Sequence, residues 1–487
     1  MTRPVLAFIL ALGFGLRFRA ANHPYISQWD EAYHALVARN LAAHPLEPRL
    51  YEDKVLPSDD QDWTKAGVWL HKPPLPLWLM SASLGVFGEG ELSLRLPSVV
   101  FDTLTILLVF LLGLELFGET AAGLYAAALY AVNPLMIRLV SGRIPDDAPH
   151  ALNVFFITCT AYLFAVCARK NSRAVAALAG LSLGLGTLCM SAVALLGLAA
   201  PIPLMISYRG VRGACKILPF ALVPFLAAAL PWPLYARSRW PDLWRHESAL
   251  QLQHLFTALD GHAHAWWWYL KILPVQYGWP SLVAWAAVLA CAVHAARARM
   301  PGARAALLWV ALPYLFFSLI ATKLYAYVCV AVPGMALLLG LGAAALWRQG
   351  RVGRAAVAAA LLAVALGRVR ADYSIASWNF LYDYPAFRAA TRSLRAVPGP
   401  KVILNVGDDK APQAMYYSGA AAYADAPTPA LVRGLLDRGY RVYVLLDEEH
   451  RGAGALQALK KAGLDKKIFF LPLPAPLGRD LKHPYEA

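Results

Sequence analysis

The chain has 487 residues, of which 59% are hydrophobic and only 15% are charged. Ordinary soluble domains carry about 25% charged residues, so this composition excludes a soluble globular protein and indicates a membrane protein. The formal net charge of +15 does not indicate a nucleic-acid-binding protein, because the basic residues stand in small clusters and form no continuous stripe.

Apolar runs long enough to cross a bilayer recur along the chain. A helix needs about 20 mainly apolar residues to cross the hydrocarbon core, and about eleven runs meet that need. They cover residues 4–20, 93–115, 119–138, 148–168, 174–190, 192–208, 216–236, 275–296, 304–321, 325–346 and 354–369. No small-residue cleavage site follows the first run, which favours a retained helix over a signal peptide. The sequence thus predicts an all-α polytopic membrane protein with about 11 or more transmembrane helices.

Four basic clusters orient these spans. They are Arg169-Lys170-Arg173, Arg209-Arg212-Lys216, Arg297-Arg299-Arg304 and Arg348-Arg351-Arg354. Each cluster separates two apolar runs, as cytoplasmic loops do under the positive-inside rule. With a cytoplasmic N-terminus, the loop at 21–92, the segment 142–147, Lys323 and everything after residue 370 then face the outside.

The first outer loop, residues 21–92, carries two segments with helical spacing of apolar residues, Asp30–Ala43 and Leu75–Phe87. Both suit amphipathic helices that lie on the membrane surface. A second outer loop at about 237–274 holds Trp267 and several further aromatic residues, which is typical of an interfacial belt.

The last 115 or so residues have the sequence patterns of strands and amphipathic helices, unlike the long apolar runs before them. The sequence predicts strands at Lys401–Val406 and Tyr440–Leu446. It predicts amphipathic helices at Thr428–Arg438 and Ala453–Ala462. We therefore predict a transmembrane domain at 1–370 and a small soluble α/β domain at 371–487.

Charged residues at the ends of apolar runs are candidates for function, because a charge is costly at membrane depth. Four places stand out: Asp30-Glu31, His71-Lys72, Arg143 to Asp147, and Lys323. Structural alternatives stay open for each. Asp30-Glu31 suits a helix start, Asp146-Asp147 suits an N-cap, Lys72 suits a snorkelling lysine, and Lys323 suits a membrane anchor.

Nine histidines fall on the predicted outer side, and two of them, His262 and His264, form a His-x-His pair that suits a zinc ligand set. Histidines beside tryptophans in surface loops commonly bind no metal. The metal is therefore left unknown: no cofactor is indicated, and a divalent ion stays open.

An ordered set of motifs resembles a known family. The motifs begin with Asp30-Glu31-Ala-Tyr33, His71-Lys-Pro-Pro-Leu-Pro-Leu-Trp78 and Phe87-Gly-Glu-Gly-Glu-Leu-Ser-Leu-Arg-Leu-Pro-Ser98. They continue with Leu230-Pro-Trp232, His262-Ala-His-Ala-Trp-Trp-Trp-Tyr269 and Phe316-Phe-Ser-Leu-Ile-Ala-Thr-Lys-Leu-Tyr-Ala-Tyr327. Together they are similar to the dolichyl-phosphate-mannose protein mannosyltransferase superfamily, in particular its bacterial lipid A aminoarabinose transferase branch.

The resemblance implies a multi-helix membrane glycosyltransferase fold, a polyprenyl-phosphate (undecaprenyl-phosphate) sugar donor, inversion at the anomeric carbon and an active site on the periplasmic face of the bacterial inner membrane. It implies a lipid A, lipid-glycan or other envelope-glycan acceptor. We expect a monomer in the bilayer.

Residue by residue, Asp30 matches the family's catalytic aspartate, Glu31 is its neighbour, and Asp147 or Asp146 matches a second aspartate. Lys72 matches a lysine near the donor phosphate. The other candidates are assigned to two groups. Phosphate binding would use Arg143, Lys323 and Arg245 with Lys72, and the substrate pocket would use His71, Tyr33, Trp267, Tyr325, His262 and His264.

Two departures from the family pattern involve lost cations. Met190 stands where the family has a lysine, and the family's Arg-Phe pair before the histidine-aromatic motif has no arginine near His254-Leu255. Other cations compensate for these losses, or the donor differs. Three alternatives stay open: a transporter or flippase of a lipid-linked sugar, a protein O-mannosyltransferase-like activity, and a degenerate scaffold.

Overall fold

The structure is a computed structural model that describes residues 2–27, 29–142, 149–259, 261–277, 300–362, 384–446 and 453–472, with short stretches between 286 and 297. The chain divides into two compact units. The first comprises Met1–Asn22, Leu70–Leu79 and Arg95–Ser374, and the second comprises His23–Trp69, Met80–Leu94 and Ile375–Ala487. Most of the first loop thus groups with the C-terminal residues. The domain boundary at 370 stays a prediction.

The α-helices follow in chain order. They are α1 Thr2–Ala21, α2 Asp30–Asn40, α3 Pro74–Phe87, α4 Glu91–Phe117, α5 Thr120–Ala131, α6 Pro134–Val140, α7 Pro149–Lys170, α8 Arg173–Met190, α9 Pro201–Ala229, α10 Pro231–Arg239, α11 Pro241–Phe256, α12 Trp268–Lys271, α13 Leu273–Tyr277, α14 Pro301–Leu319, α15 Val332–Trp347, α16 Tyr384–Ser393, α17 Ala411–Ser418, α18 Pro429–Asp437 and α19 Ala453–Lys461. Short 3₁₀ helices occupy Ser191–Leu198, Tyr327–Ala331 and Leu394–Ala396.

Seven helices among the described residues are long and apolar enough to cross a membrane, or eight if a bent pair counts as one span. The bent pair is α5 and α6, which meet at 51° inside the predicted run 119–138. Asn133 caps α6 by accepting a hydrogen bond from the Met136 backbone N–H at 3.1 Å, and Pro134 begins the helix. The predicted run 275–296 lies largely outside the described residues, and the run 354–369 is helical up to 362, beyond which it lies outside them.

The chain reverses twice between α8 and the end of α9. Ser191 has φ 48°, and a Cβ built on Gly186 would lie 3.3 Å from the Ala194 Cβ, so residues 191–198 fold back along α8. Gly210, with φ 64°, breaks α9. Beyond it Ala221 contacts Gly180 and Phe225 contacts Gly184, so this part of α9 runs parallel to α8. These breaks separate the three predicted runs 174–190, 192–208 and 216–236.

A buried charge network joins three helices of the first unit. Arg17 Nε donates to Asp102 Oδ2 at 2.6 Å, and both side chains are fully buried. The Tyr130 hydroxyl donates to the other carboxylate oxygen at 2.5 Å, and Arg17 Nη1 donates to the Ala131 carbonyl at 2.8 Å. Because removal of one partner would leave a buried charge unpaired, the network fixes the packing of α1, α4 and α5.

The four basic clusters meet at one end of the first unit. Arg169 lies 3.5 Å from Glu115, and Arg348 lies 3.3 Å from Glu119. Arg209 donates to the carbonyls of residues 168 and 169 at 2.6 Å. The chain around Gly302, next to the remaining cluster, packs directly on the Leu116 carbonyl. Clusters predicted to share one side of the membrane therefore share one end of the fold.

The second unit contains a four-stranded parallel sheet of order β2-β1-β3-β4. The strands are β1 Lys401–Leu404, β2 Ala421–Ala422, β3 Arg441–Leu446 and β4 Phe469–Pro472. In register, Val402 pairs with Val442 and Val444 pairs with Phe470. The predicted strands at 401 and 440 and the predicted helices at 428 and 453 are present, while β2 and β4 were not predicted from the sequence.

Candidate functional site

In the second unit, Asp30 is the first residue of α2 and is half-buried. Trp29, which precedes it, has φ 60° and ψ −131°, a backbone conformation that non-glycine residues rarely adopt. Such strain is commonly retained at functional sites. The neighbouring Glu31 is 5% exposed and accepts a hydrogen bond from the Ser27 backbone N–H at 2.7 Å. The Glu31 side chain therefore bonds the backbone just before α2.

Aromatic residues and a loop after β1 hold α2 in place within the second unit. The Tyr33 hydroxyl donates to the Asp408 carbonyl at 3.0 Å, and its ring lies 4.8 Å from the Trp63 ring. Burial, followed by the nearby Asp408 carboxylate, raises the pKa of the Tyr33 phenol well above its usual range. The Trp29 backbone N–H donates to the Asp409 carbonyl at 3.4 Å. The start of α2 is thus set by contacts far along the chain.

In the first unit, hydrogen bonds from distant segments hold the turn that follows α14, residues 320–327. The backbone N–H of Lys323 donates to the His262 carbonyl at 3.1 Å. The Thr322 hydroxyl, which is buried, donates to the Thr257 carbonyl at 3.1 Å and lies 3.1 Å from His254 Nδ1. The predicted residues Lys323 and His262 are therefore brought together here.

Lys323 is 5% exposed, and its ammonium donates to the Ile320 carbonyl at 2.7 Å. Burial lowers the pKa of this ammonium from its ordinary value of 10.5. A cation held in place and largely out of water interacts more strongly with an anion than an exposed lysine does. The position suits Lys323 for binding a phosphate.

Tyr325, also on this turn, is 3% exposed and accepts a hydrogen bond from Arg138 Nη1 at 2.6 Å. Arg138 lies on α6 and is itself buried. The Gln276 amide donates to the Tyr325 carbonyl at 3.2 Å, and the Tyr269 hydroxyl donates to the Leu324 carbonyl at 2.9 Å. A second buried cation, Arg138 of α6, thus contacts this turn at Tyr325, two residues from Lys323.

The segment before α3 contains the predicted pair His71 and Lys72. His71 Nδ1 lies 3.2 Å from Glu247 Oε2, and the side chains are 10% and 4% exposed. Gln251 donates its side-chain amide to the His71 carbonyl at 3.4 Å. Lys72 follows in the same segment and is half-buried.

Helix α11 links this segment to the turn at 320–327. Glu247 and Gln251 contact His71, and His254 contacts Thr322. These three residues are spaced by four and three positions, so they share one face of the helix. One helix face therefore orders the two cation-bearing segments of the first unit.

Several predicted residues lie elsewhere or outside the described residues. Arg245 pairs with Asp242 at 3.0 Å on the surface, where the side chains are 77% and 90% exposed. Trp267 is exposed, and the His264 ring stacks on Trp268 with centroids 4.2 Å apart. Arg143, Asp146 and Asp147 lie outside the described residues. Across the part of the chain that the structure describes, no group of three or more His, Cys, Asp or Glu side chains is arranged to hold a metal ion.

Sequence reasoning missed Glu247 and Arg138. Glu247 lies among other charged and polar residues of its segment, and no motif separates it from surface residues. Their burial depends on which helix faces meet, and only the folded chain determines that. The one available signal was Arg138 itself, a charged residue within the predicted apolar run 119–138.

Comparison with known proteins confirms the resemblance drawn from the motifs. Residues 71–235 match the family model described as dolichyl-phosphate-mannose-protein mannosyltransferase. The chain is 30% identical, over 281 residues, to the undecaprenyl phosphate-alpha-4-amino-4-deoxy-L-arabinose arabinosyl transferase of Pseudomonas aeruginosa (strain LESB58), a match that covers 56% of this chain and 49% of that protein. It is 27% identical over 277 residues to the protein of that name from Erwinia tasmaniensis, with coverage of 56% and 49%. The chain thus spans about half the length of these relatives.

Solved structures show the same fold at low sequence identity. The crystal structure of ArnT from Cupriavidus metallidurans bound to undecaprenyl phosphate has a TM-score of 0.65 and 14% identity, with 95% of this chain and 89% of that chain covered. The archaeal oligosaccharyltransferase AglB from Archaeoglobus fulgidus has a TM-score of 0.57 and 14% identity, with coverage of 86% and 64%. The chain therefore has the fold of these multi-helix membrane proteins.

Proposed function

We propose that this chain, which shares its fold with those membrane proteins, is a glycosyltransferase that uses a polyprenyl-phosphate sugar. The donor would be an undecaprenyl-phosphate sugar, and the acceptor would be lipid A or another envelope glycan. The relatives' names and the undecaprenyl phosphate in the solved ArnT structure support the donor class. The observation that carries the proposal is the buried Lys323 on a turn whose Tyr325 is bonded by the buried Arg138 of α6.

The chemistry requires stabilisation of a phosphate that leaves the anomeric carbon. In this proposal Lys72 and Lys323 bind that phosphate, and their ammonium groups stabilise the charge that develops as the sugar–phosphate bond breaks. Asp30 orients and deprotonates the acceptor hydroxyl, which attacks from the opposite face and inverts the anomeric centre. In other enzymes, removal of one preorganised hydrogen-bond donor to a developing oxyanion costs about 2.7–4 kcal/mol of barrier lowering.

We propose that the site faces the periplasm and that the chain resides in the inner membrane. The turn at 320–327 follows α14, whose other end at Pro301 adjoins the basic clusters. A helix of this length spans about 30 Å, so the turn and the clusters lie on opposite sides of the bilayer. Basic loops face the cytoplasm, which leaves the turn outside.

The test of the catalytic role is Asp30→Asn in the purified protein in detergent, assayed with a radiolabelled polyprenyl-phosphate sugar and no membrane gradient. We expect transfer to fall at least about a hundredfold, because the amide cannot accept the acceptor proton. Asp53→Asn, an exposed residue of the same loop, is the matched control and should retain activity.

Near-native turnover of Asp30→Asn would remove Asp30 from this role. The same assay separates the alternatives, because a transporter or flippase forms no glycosylated product in detergent. Peptide and lipid A acceptors offered in parallel distinguish a protein O-mannosyltransferase-like activity from an envelope-glycan transferase.

A further inference from the structure

The backbone of Ile26, four residues before Asp30, is bonded on both sides by one helix of the second unit. The Ile26 backbone N–H donates to the Tyr417 hydroxyl at 2.7 Å. The Ile26 carbonyl accepts a hydrogen bond from the side-chain amide of Gln413. Both side chains belong to α17, and their spacing of four positions places them on one face of that helix. We call Gln413 and Tyr417 the Ile26 clamp.

The Ile26 clamp is buried. Ile26 is fully buried, Gln413 is 1% exposed and Tyr417 is 5% exposed. A buried side-chain amide is unfavourable unless it is hydrogen-bonded, and so is a buried backbone group. Ile26 lies in neither a helix nor a strand, so its backbone groups need partners from elsewhere in the chain. The clamp supplies them, and the position of residue 26 therefore follows that of α17.

Three residues separate Ile26 from Asp30, and the last of them is strained. Trp29 has φ 60°, a conformation that persists in a non-glycine residue where the surrounding contacts impose it. Its backbone N–H donates to the carbonyl of Asp409, in the loop just before α17, at 3.4 Å. The chain is thus fixed at residue 26 and again at residue 29. Asp30, the first residue of α2, takes its position from these two points.

Helix α17 also holds the far end of α2. Arg39, in the last turn of α2, donates to the carbonyls of Met415 at 3.1 Å and Tyr416 at 3.0 Å. The same short helix therefore contacts the chain before α2 and at its last turn. Because Arg39 bonds backbone carbonyls, its contact does not depend on the Gln413 side chain. Loss of that side chain should release the start of α2 and leave its end in place.

We propose that Gln413 is a positioning residue for Asp30, which it holds in place through the backbone of Ile26. This inference rests on the proposed function, in which Asp30 orients and deprotonates the acceptor. A misplacement of about 1 Å can reduce the rate of an enzyme about a hundredfold, so a residue that fixes the nearby backbone controls turnover without contacting substrate. The C-terminal sheet region is then part of the catalytic apparatus.

The experiment uses the full-length protein in detergent and the variant Gln413→Met, which keeps the length of the side chain and removes the amide. Met415→Leu, a volume-conserving change at another buried residue of α17, is the matched control. Hydrogen exchange is measured by mass spectrometry for the segments 22–33 and 34–41. Steady-state kcat and KM are measured with undecaprenyl-phosphate 4-amino-4-deoxy-arabinose as donor and lipid A as acceptor.

We expect Gln413→Met to raise the exchange rate in segment 22–33 about tenfold, because the Ile26 carbonyl loses its donor. Exchange in segment 34–41 should change less than about threefold. The kcat should fall about tenfold or more, while the KM for the donor changes less than about threefold, because Asp30 acts on the acceptor. Met415→Leu should behave as wild type. Tyr417→Phe removes the other half of the Ile26 clamp and should raise exchange in the same segment, which provides a second test if Gln413→Met does not fold.

Wild-type exchange at 22–33 in these clamp variants would overturn the inference. Equal increases in both segments would also overturn it, because they indicate general destabilisation, as would an unchanged kcat or a loss confined to KM. The failure of the proposed function gives a different pattern: the wild type transfers no sugar, or Asp30→Asn keeps its turnover. In that case the exchange data still decide whether Gln413 holds the start of α2.

Discussion

Lys323 shows how burial changes the chemistry of a single side chain. It lies outside the membrane-spanning helices, on a turn whose backbone is bonded to His262 and whose neighbour Thr322 bonds Thr257. Burial lowers the pKa of its ammonium, so the group loses its proton at a lower pH than an ordinary lysine. The deprotonated amine has no charge with which to hold a phosphate.

This residue gives a prediction about pH. We expect the transfer rate to decline on the alkaline side at a pH below 10.5, the ordinary value for lysine. Lys323→Arg keeps a positive charge through this range, so its alkaline limb should move to higher pH even if its maximum rate is lower. The measurement is the pH dependence of kcat/KM for both proteins. Superimposable alkaline limbs would show that Lys323 does not set this limb.

At the scale of elements, α8 and α9 pack closely because glycine leaves room for the facing backbone. A Cβ on Gly180 would lie 1.9 Å from the Ala221 carbonyl oxygen, and one on Gly184 would lie 2.8 Å from the Phe225 carbonyl oxygen. Small residues commonly mark helix interfaces in membranes, where close packing replaces the hydrophobic driving force.

Gly180→Ala should therefore separate α8 from α9. We expect a loss of about 1–3 kcal/mol in stability, the usual range for overpacking, seen as a lower midpoint of thermal unfolding in detergent. Gly15→Ala in α1 is the matched control, because a Cβ there meets no atom within 4 Å. If both variants unfold at the same temperature as the wild type, the close contact between α8 and α9 is not important for stability.

At the scale of the whole molecule, the basic clusters predict which loops share a side of the membrane. Cys215, which is exposed, lies in the cluster from Arg209 to Lys216. In a variant with Cys291 replaced by serine, a membrane-impermeant maleimide should not label Cys215 in intact spheroplasts and should label it after permeabilisation. A cysteine introduced at Asp465 should be labelled in both cases. Labelling of Cys215 in intact spheroplasts would contradict the orientation.

The sequence by itself determined the membrane class, most of the described spans, the presence of helices α2 and α3 and the main elements of the parallel sheet. These follow from the length and period of apolar runs, which depend on local chemistry and the thickness of the bilayer. The sequence predicted α2 as an amphipathic surface helix, whereas nearly all of its residues are buried. The motifs also pointed to Asp30, Lys72 and Lys323. Their proposed roles stay predictions.

Only the tertiary structure decided which polar side chains are buried together. Glu247 and His71 are far apart in sequence, as are Arg138 and Tyr325, and no local pattern records that their helix faces meet. The tertiary structure also decided that Arg245 is a surface residue and that residues 191–198 fold back along α8. Pairing and burial depend on contacts between distant segments, whereas helix formation and membrane insertion depend on each segment's own side chains.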